Sequence, residues 1–260
     1  MPLCFYNLLF FIFDLSAGAN KMAKEKIVLP KLRFSSKRSI SGQIYDFLRK
    51  QITETKLKPG TAFSENELSA HFNVSRQPVR EALMRLNHEG LLIVMPQRGS
   101  IVSKISASGL KQICFIRTSL ECGSVIKAKE LDDKTFNKIL SQFAKNLDRQ
   151  RECLKDGNTA IFLNLDDDFH ELICSLSLCQ MTWDVLRSVK GHMDRIRYLS
   201  MGNESPISQL IAEHEEIFEA LKSKNFDHAV ELLKHHLYEI MQTHISIRAK
   251  NSEWFEEEDE

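Results

Sequence analysis

Residues 74–83, VSRQPVREAL, contain the feature from which the N-terminal fold can be predicted. Apolar side chains recur at helical spacing from Val79 to Leu86, which predicts an α-helix with one buried face. Pro78 falls in the first turn of that helix, where the backbone N–H that proline lacks would have no partner inside the helix. We therefore predict that a helix begins after Ser75.

The segments on either side of this helix predict a winged helix-turn-helix. An amphipathic helix is expected over residues 39–55, and a second helix follows Ser64, because Glu67 three residues later completes a capping box. A tight turn leads from there to the helix after Ser75, which Gly90 ends. Two apolar runs around a turn then predict a β-hairpin with a basic tip. Its strands are residues 91–94 and 101–102.

The charge of the chain is unevenly distributed. The 260 residues have no net charge, but residues 35–105 contain 11 Lys and Arg against 6 Asp and Glu. Residues 106–260 contain 19 against 27. A basic N-terminal third and an acidic remainder indicate separate partners for the two parts.

The start of the helix after Ser75 has the chemistry of a DNA-reading surface. Arg76 and Arg80 can each donate two hydrogen bonds to guanine, and Gln77 can bond adenine in the major groove. Backbone N–H groups at the same helix end can bind a phosphate. The alternative is a solvated basic helix face. The preceding capped helix, the tight turn and the basic hairpin tip favour DNA binding.

The rest of the chain predicts a helical bundle. Residues 108–248 show helical periodicity without strand alternation. The fold class is therefore mainly α, with an α+β winged domain followed by an all-α bundle of about six helices. The predicted helices are residues 108–130, 132–155, 159–176, 180–201, 206–223 and 226–248.

Four side chains of metal-binding type fall on apolar helix faces. Asp166 and His170 are one turn apart on one face, and His214 and His236 each lie within an apolar stripe on another helix. Burying a carboxylate and three imidazoles is costly unless they share partners. A divalent metal would satisfy all four, and this ligand set suits Zn, which we expect, or Ni, Mn or Fe. The alternative is ordinary core histidines with hydrogen-bond partners.

Residues 58–102, KPGTAFSENELSAHFNVSRQPVREALMRLNHEGLLIVMPQRGSIV, resemble the DNA-binding domain of the GntR family of bacterial transcriptional regulators. The resemblance extends over about residues 39–105. It implies that helix residues contact the major groove and nearby phosphates and that the wing approaches the minor groove. Gln77 replaces the threonine usual in the family, and Asn66 stands where some members have an arginine. The implied DNA-binding residues are Asn66, Ser75, Arg76, Gln77, Arg80, Arg98 and Gly99.

Residues 108–248 resemble the FCD ligand-binding domain of the FadR-type branch of that family, through the motifs RTSLE, DDDFHELI and EHEEIFEAL. In many such domains one Asp and three His bind a metal on which a small carboxylate effector sits. The resemblance therefore implies a metal site. It also implies that Arg117 pairs with the effector carboxylate, the alternative being a surface arginine. The implied metal ligands are Asp166, His170, His214 and His236.

These observations predict an effector-responsive transcriptional regulator. We expect a homodimeric repressor that binds a palindromic operator in double-stranded DNA, in the bacterial cytoplasm and associated with the nucleoid. A metallohydrolase with an accessory DNA-binding domain is the alternative. It is disfavoured because Glu171, which follows His170, lies about 100° round the helix from it and is not placed as a general base. A constitutive architectural DNA binder would not need the buried polar quartet.

The termini and the cysteines complete the sequence-based expectations. Residues 1–38 are predicted to be a disordered leader and basic arm, residues 39–105 the winged domain, residues 106–248 the FCD domain and residues 249–260 a disordered acidic tail. None of the six cysteines forms a C-x-x-C pair, so we expect free thiols rather than a zinc ribbon or a disulfide scaffold.

The first residues allow two interpretations. The apolar run over residues 3–13 is too short to cross a bilayer as a helix and lacks the preceding Lys or Arg of a signal peptide. We expect translation to begin at Met22, which would leave residues 1–21 untranslated and give a chain without a membrane partner. The alternative is a leader that touches a membrane.

Overall fold

The computed structural model describes residues 29–95, 98–157, 159–201 and 207–257. The N-terminal elements form a winged helix-turn-helix, as the sequence predicted. The elements of this domain are α1 (Ile40–Thr53), β1 (Ala62–Phe63), α2 (Glu65–Phe72), α3 (Arg76–His88), β2 (Leu92–Met95) and β3 (Gly99–Val102). Helix α1 packs against α3, and the three strands form an antiparallel sheet with strand order β1-β3-β2.

The predicted starts of α2 and α3 are confirmed. The Ser64 hydroxyl accepts a hydrogen bond from the backbone N–H of Glu67 at 3.2 Å, and the Glu67 carboxylate accepts one from the Ser64 N–H at 2.7 Å. Ser75 is the N-cap of α3 but makes no side-chain capping bond within the described residues. Pro78 is the third residue of α3, so its missing N–H costs no helical hydrogen bond.

Strand β1 was not predicted, because two residues are too few to show a period. Ala62 pairs with Ile101 and Phe63 with Ser100. The close approach of β1 and β3 explains Gly99, which has φ +96° and where a Cβ would lie 2.7 Å from the Phe63 carbonyl oxygen. Gly99 therefore has a structural reason to be glycine that is independent of DNA contact.

The second part of the chain is the expected helical bundle. Its largest apolar core includes Phe143, Phe169, Ile217 and Leu233, all essentially inaccessible to solvent. Its helices are α4 (Ala107–Lys127), α5 (Asp133–Asp156), α6 (Thr159–Ser175), α7 (Met181–Val189), α8 (Gly191–Ser200), α9 (Ile207–Lys222) and α10 (Phe226–Lys250), with 3-10 turns at Ala128–Glu130 and Ser252–Trp254.

The prediction of one helix over residues 180–201 was wrong. Two helices, α7 and α8, meet at Lys190, whose ψ of 2° interrupts the helical backbone. The Lys190 ammonium is buried between the carboxylates of Asp167 and Asp194, at 2.8 and 2.5 Å. The contact with Asp167, on another helix, is a tertiary constraint that the local sequence pattern does not contain.

The prediction of disorder before residue 39 was wrong for residues 31–38. The Ser35 N–H donates to the Gln43 side-chain oxygen at 2.7 Å, and the Gln43 amide donates back to the Ser35 carbonyl at 2.8 Å. The Phe34 ring packs edge-on against Phe72, with 6.3 Å between ring centroids. The expectations for residues 1–21 and for Met22 lie outside the described residues.

The C-terminal segment is also ordered where it is described, contrary to prediction. Trp254 and Phe255 are only 4% and 2% exposed and pack in the core that contains Ile105. The Ile105 N–H donates to the Trp254 carbonyl at 2.8 Å, and the Glu256 N–H donates to the Ile105 carbonyl at 3.0 Å. The acidic composition of this segment predicted disorder, but its two aromatic side chains pack against the segment that joins the two domains. Residues 258–260 lie outside the description.

Two further observations concern membrane-spanning helices and cysteines. Among the described residues, no helix has the length and apolarity needed to span a membrane. The cysteines in those residues are free thiols, as expected. Cys179 is exposed, and the others, Cys114, Cys122, Cys153 and Cys174, are buried.

We predict that Trp254→Ala lowers the free energy of unfolding by about 3–5 kcal/mol, the usual cost of truncating a buried aromatic side chain. Urea denaturation followed by circular dichroism measures this change. Glu257→Ala, at an exposed position nearby, is the control and should have little effect. A Trp254→Ala protein within about 0.5 kcal/mol of wild type would mean that the C-terminal segment is not packed.

Candidate functional site

The residues predicted to read DNA lie on an exposed part of the winged domain. Arg76, Gln77 and Arg80 are exposed at the start of α3, and Asn66 is exposed on α2. Arg98, next to the wing strand β3, is exposed as well. Wing residues 96–97 lie outside the description. The geometry therefore leaves the predicted DNA-contacting side chains accessible.

An ion pair on this surface, between Glu65 and Arg80, was not predicted from the sequence. Glu65 of α2 accepts two hydrogen bonds from Arg80, from Nε and Nη2, each at 2.8 Å. The hydrogen bonds from Arg80 lower the pKa of Glu65. Exposed ion pairs contribute little to stability, so a phosphate or a guanine can compete for Arg80. The pair orients the guanidinium without preventing DNA contact.

The four predicted metal ligands come together inside the helical domain. Asp166 and His170 come from α6, His214 from α9 and His236 from α10. One potential ligand atom from each lies within 4.8 Å of the others, and all four residues are buried. The His236 Nε2 atom is 3.2 Å from the Nε2 atoms of both His170 and His214. The nearest Asp166 oxygens are 3.8 Å from His170 Nε2 and 3.6 Å from His214 Nε2.

Each imidazole is oriented by a hydrogen bond on its other nitrogen. The acceptors lie 2.7 Å from His170 Nδ1, 2.9 Å from His214 Nδ1 and 2.7 Å from His236 Nδ1. Metal-bound histidines usually donate their second N–H to such an oxygen, which fixes the tautomer. The acceptors are Glu121, Gln150 and Glu213, respectively, and none of them was predicted from the sequence.

A chain of amides fixes the orientation of the His214 ring. The Asn146 amide donates to the Leu165 carbonyl at 2.9 Å, and the Gln150 amide donates to the Asn146 side-chain oxygen at 2.6 Å. The Gln150 oxygen is thereby left to accept from His214, which must donate through Nδ1. The Nε2 lone pair of His214 consequently points into the cluster.

The donor atoms of the cluster have the geometry of a cation site. Burial holds the pKa of His170 and of His214 well below the usual range; Arg117 adds to this effect at His170, and the other two imidazoles add to it at His214. A neutral ring that donates through Nδ1 directs its Nε2 lone pair into the cluster. Nitrogens in a tetrahedral zinc site, each about 2.0–2.1 Å from the metal, lie about 3.3 Å apart, close to the observed separations. The donor set therefore fits a divalent metal.

Arg197 of α8 is a functional candidate that sequence reasoning missed. Its Nη2 atom contacts Asp166 Oδ2, and its Nη1 atom lies 2.7 Å from Asp167 Oδ1. Although burial opposes ionisation, Arg197 lowers the pKa of Asp166. Asp166 is thus a carboxylate shared between the histidine cluster and Arg197. Its contact with Arg197 depends on how α6 and α8 pack, and no spacing in the sequence indicates it.

A cavity of about 100 Å³ adjoins the cluster. Its lining includes Asp166, His170, His236 and both Arg117 and Arg197. Arg117 is not a surface arginine, because it is only 6% exposed. Its Nε donates to Glu121 Oε1, and its Nη1 lies 3.2 Å from the sulfur of Met193. Glu121 also accepts from His170, so one carboxylate joins Arg117 to the cluster.

The chain is similar to known regulators along most of its length. The family described as "Bacterial regulatory proteins, gntR family" matches residues 40–102, and the FCD domain matches residues 112–239. The HTH-type transcriptional repressor RspR of Escherichia coli (strain K12) is 39% identical over 84% of this chain and 95% of its own length. The gluconate operon transcriptional repressor of Bacillus subtilis (strain 168) is 29% identical over 78% and 84%.

Solved structures show the same likeness. Escherichia coli McbR/YncC is similar with a TM-score of 0.66 and 25% identity over 83% of this chain and 99% of that one. A GntR regulator from Rhodococcus sp. RHA1 is similar with a TM-score of 0.67 and 25% identity, over 79% and 97%. These relatives are transcriptional regulators rather than enzymes, in agreement with the sequence-based expectation. The chain belongs to the GntR family of bacterial transcriptional regulators, with a winged helix-turn-helix domain followed by an FCD domain.

Proposed function

We propose that the chain is a transcriptional repressor whose operator binding is controlled by a small carboxylate bound at a divalent metal in the FCD domain. The observation that carries this proposal is the convergence of three imidazole Nε2 atoms and the Asp166 carboxylate. Repression is supported by two relatives that are named as repressors, RspR and the gluconate operon transcriptional repressor of Bacillus subtilis. A protein with this role would act in the bacterial cytoplasm, on the nucleoid.

The metal would be held by the four clustered side chains, with zinc as the first candidate. The ion would supply a positive centre in the cavity, to which an anionic group is attracted. Among the residues described, Arg117 and Arg197 are the guanidinium groups that line the same cavity. A small carboxylate is therefore the effector class that the cavity favours. The ligand set is Asp166, His170, His214 and His236.

Operator recognition would use the exposed side chains at the start of α3 and at the wing. Arg76, Gln77 and Arg80 supply the donors suited to base edges and phosphates, supported by the N-terminal backbone after Ser75. Asn66 on α2, with Arg98 and Gly99 at the wing, would add backbone contacts that position the domain.

We predict that Arg76→Ala combined with Arg80→Ala weakens binding to an operator selected from random DNA by at least about 30-fold, because each arginine–base contact contributes about 1–3 kcal/mol. A gel-shift titration at fixed salt measures this loss. The control is Lys134→Ala combined with Lys138→Ala, which removes two exposed cations at the same spacing from α5. Equal affinity of the arginine variant and wild type would show that α3 does not read the operator.

We predict that protein purified without chelators carries one divalent ion per chain. His214→Ala should lose that ion, because it removes one of three converging nitrogens, whereas His235→Ala should keep it. His235 is 72% exposed in its side chain and neighbours His236, which makes it a matched imidazole control. Elemental analysis by mass spectrometry gives the stoichiometry. Protein that binds no ion when zinc is supplied, or a His214→Ala protein that binds it unchanged, would refute the site.

A homodimer is the assembly we propose, and two apolar helix faces support it. Phe115 and Ile126 of α4 are 74% and 51% exposed, three helical turns apart on one face. Tyr238 and Ile245 of α10 are each 61% exposed, two turns apart, and α10 packs against α4. Large apolar side chains exposed on adjoining helices mark a protein–protein interface. Two winged domains in one dimer would read the two halves of a palindrome.

We predict that Phe115→Glu converts the dimer to a monomer, because a charge would be buried unpaired at the interface. Size-exclusion chromatography with light scattering measures the mass. The control is Met181→Glu, which places the same charge on an equally exposed apolar residue of α7, at 69% exposure. A dimeric Phe115→Glu protein would show that α4 is not the interface.

A further inference from the structure

Arg49 lies at the junction of the winged domain and the helical domain. It belongs to α1, which packs against α8, and it is only 9% exposed. Its Nη2 atom donates to the Arg187 carbonyl at 2.7 Å and lies 3.4 Å from Asp194 Oδ2. One side chain of the DNA-binding domain is therefore held by two groups of the helical domain.

Arg49 is also bonded to the end of the recognition helix. Its Nε atom donates to Glu89 Oε2 at 2.9 Å, and Glu89 is the C-cap residue of α3. The Tyr45 hydroxyl donates to the other Glu89 oxygen, and the Arg85 guanidinium stacks 3.8 Å from the Tyr45 ring centroid. A displacement of Arg49 would therefore shift the last turn of α3 through Glu89.

Asp194, the partner of Arg49 in the helical domain, is connected to the histidine cluster through Arg197. Its Oδ1 atom lies 2.5 Å from the Lys190 ammonium and 3.5 Å from Arg197 Nη1. Arg197 in turn contacts Asp166, the carboxylate of the cluster. Five charged side chains thus form an unbroken series of contacts from the cluster to the recognition helix, which we name the ion-pair relay. Its members are Asp166, Arg197, Asp194, Arg49 and Glu89.

The side chains of the relay are largely buried, so water screens a change at one member only weakly. The side chains of Asp166, Asp194 and Glu89 are 5–8% exposed, and those of Arg49 and Arg197 are 11% and 12% exposed. Removing one partner from a buried pair leaves the charge of the other uncompensated, which favours rearrangement. A cleft of about 370 Å³ beside the relay, lined by Arg49, Asp194 and Arg197 among others, leaves room for partners to change.

We infer that Arg49 is the positioning residue through which the state of Asp166 is transmitted to the recognition helix. The inference rests on the proposed function, because it assumes that Asp166 engages a cation in the cluster. When a cation in the cluster binds an Asp166 oxygen, that oxygen binds Arg197 less strongly. Arg197 then forms stronger contacts with Asp167 and Asp194, and the contact between Asp194 and Arg49 weakens. The two states of the relay differ in where Arg49, and with it α3, is held, as coupling between two sites requires.

Hydrogen–deuterium exchange with and without Zn²⁺ on the full-length protein tests this inference. In wild type, Zn²⁺ should change exchange in α6, α9 and α10 and also in α1 and the last turn of α3. In Arg49→Met and in Asp194→Asn, the changes in α1 and α3 should be lost while those in α6, α9 and α10 persist. The controls are Lys50→Met, the neighbouring exposed cation of α1, and Asp184→Asn, an exposed carboxylate of α7. Both controls should respond as wild type does.

Two results would overturn the inference while leaving the metal site standing. One is bound Zn²⁺ without any change in α1 or α3 of wild type, and the other is an undiminished change in Arg49→Met. Arg49→Lys serves if Arg49→Met does not fold, since one ammonium cannot bond Glu89 and Asp194 as the guanidinium does, and it should also lose the change in α3. If Zn²⁺ does not bind, the proposed function fails. In that case the relay is tested by hydrogen–deuterium exchange of the metal-free Asp166→Asn protein. Exchange in α1 and α3 equal to that of wild type would overturn the inference.

Discussion

The Nε2 atom of His236 lies 3.2 Å from those of both His170 and His214, and each of the three rings has its Nδ1 hydrogen-bonded to an outer partner. An imidazole that donates through Nδ1 directs its Nε2 lone pair into the cluster, next to the Asp166 carboxylate. A carboxylate and three imidazoles are costly to bury unless they share partners, and the proposed cation would offset that cost. The proposed metal site therefore accounts for a group of buried polar side chains that apolar packing alone does not explain.

Asp166 connects this site to the rest of the molecule. Its Oδ2 atom contacts Arg197 Nη2 and is also the Asp166 oxygen nearest to His170 Nε2, at 3.8 Å, so a cation in the cluster would compete with Arg197 for that atom. Arg197 and Asp194 extend the contact to Arg49, which holds the last turn of the recognition helix through Glu89. Under the proposed function, such a competition for one buried carboxylate would give the regulator a physical route between its two domains. The exposed arginines at the other end of α3 would then meet the operator in one of two positions.

Features that depend on one helix were predictable from the sequence, whereas contacts between helices were not. The spacing of Asp166 and His170 on one helix face predicted that they would come together, because helical periodicity alone decides it. Gln150 and Arg197 could not be predicted, because their partners lie far away in sequence and meet them only through helix packing. The break at Lys190 was missed for a related reason, since one of the two carboxylates that bind its buried ammonium, Asp167, lies on another helix. The sequence thus predicted the candidate ligands, and the structure supplied their orienting partners and their link to α1.

X-ray absorption at the zinc edge of the zinc-loaded protein tests the proposed metal site, because it reports the atoms bound to the ion. We expect three imidazole nitrogens and one carboxylate oxygen at about 2.0–2.2 Å, with no sulfur. Free thiols at Cys114, Cys122 and Cys174 make a different ligand set chemically possible in the same domain. A spectrum with sulfur at about 2.3 Å, or with water oxygens and no imidazole, would contradict the account.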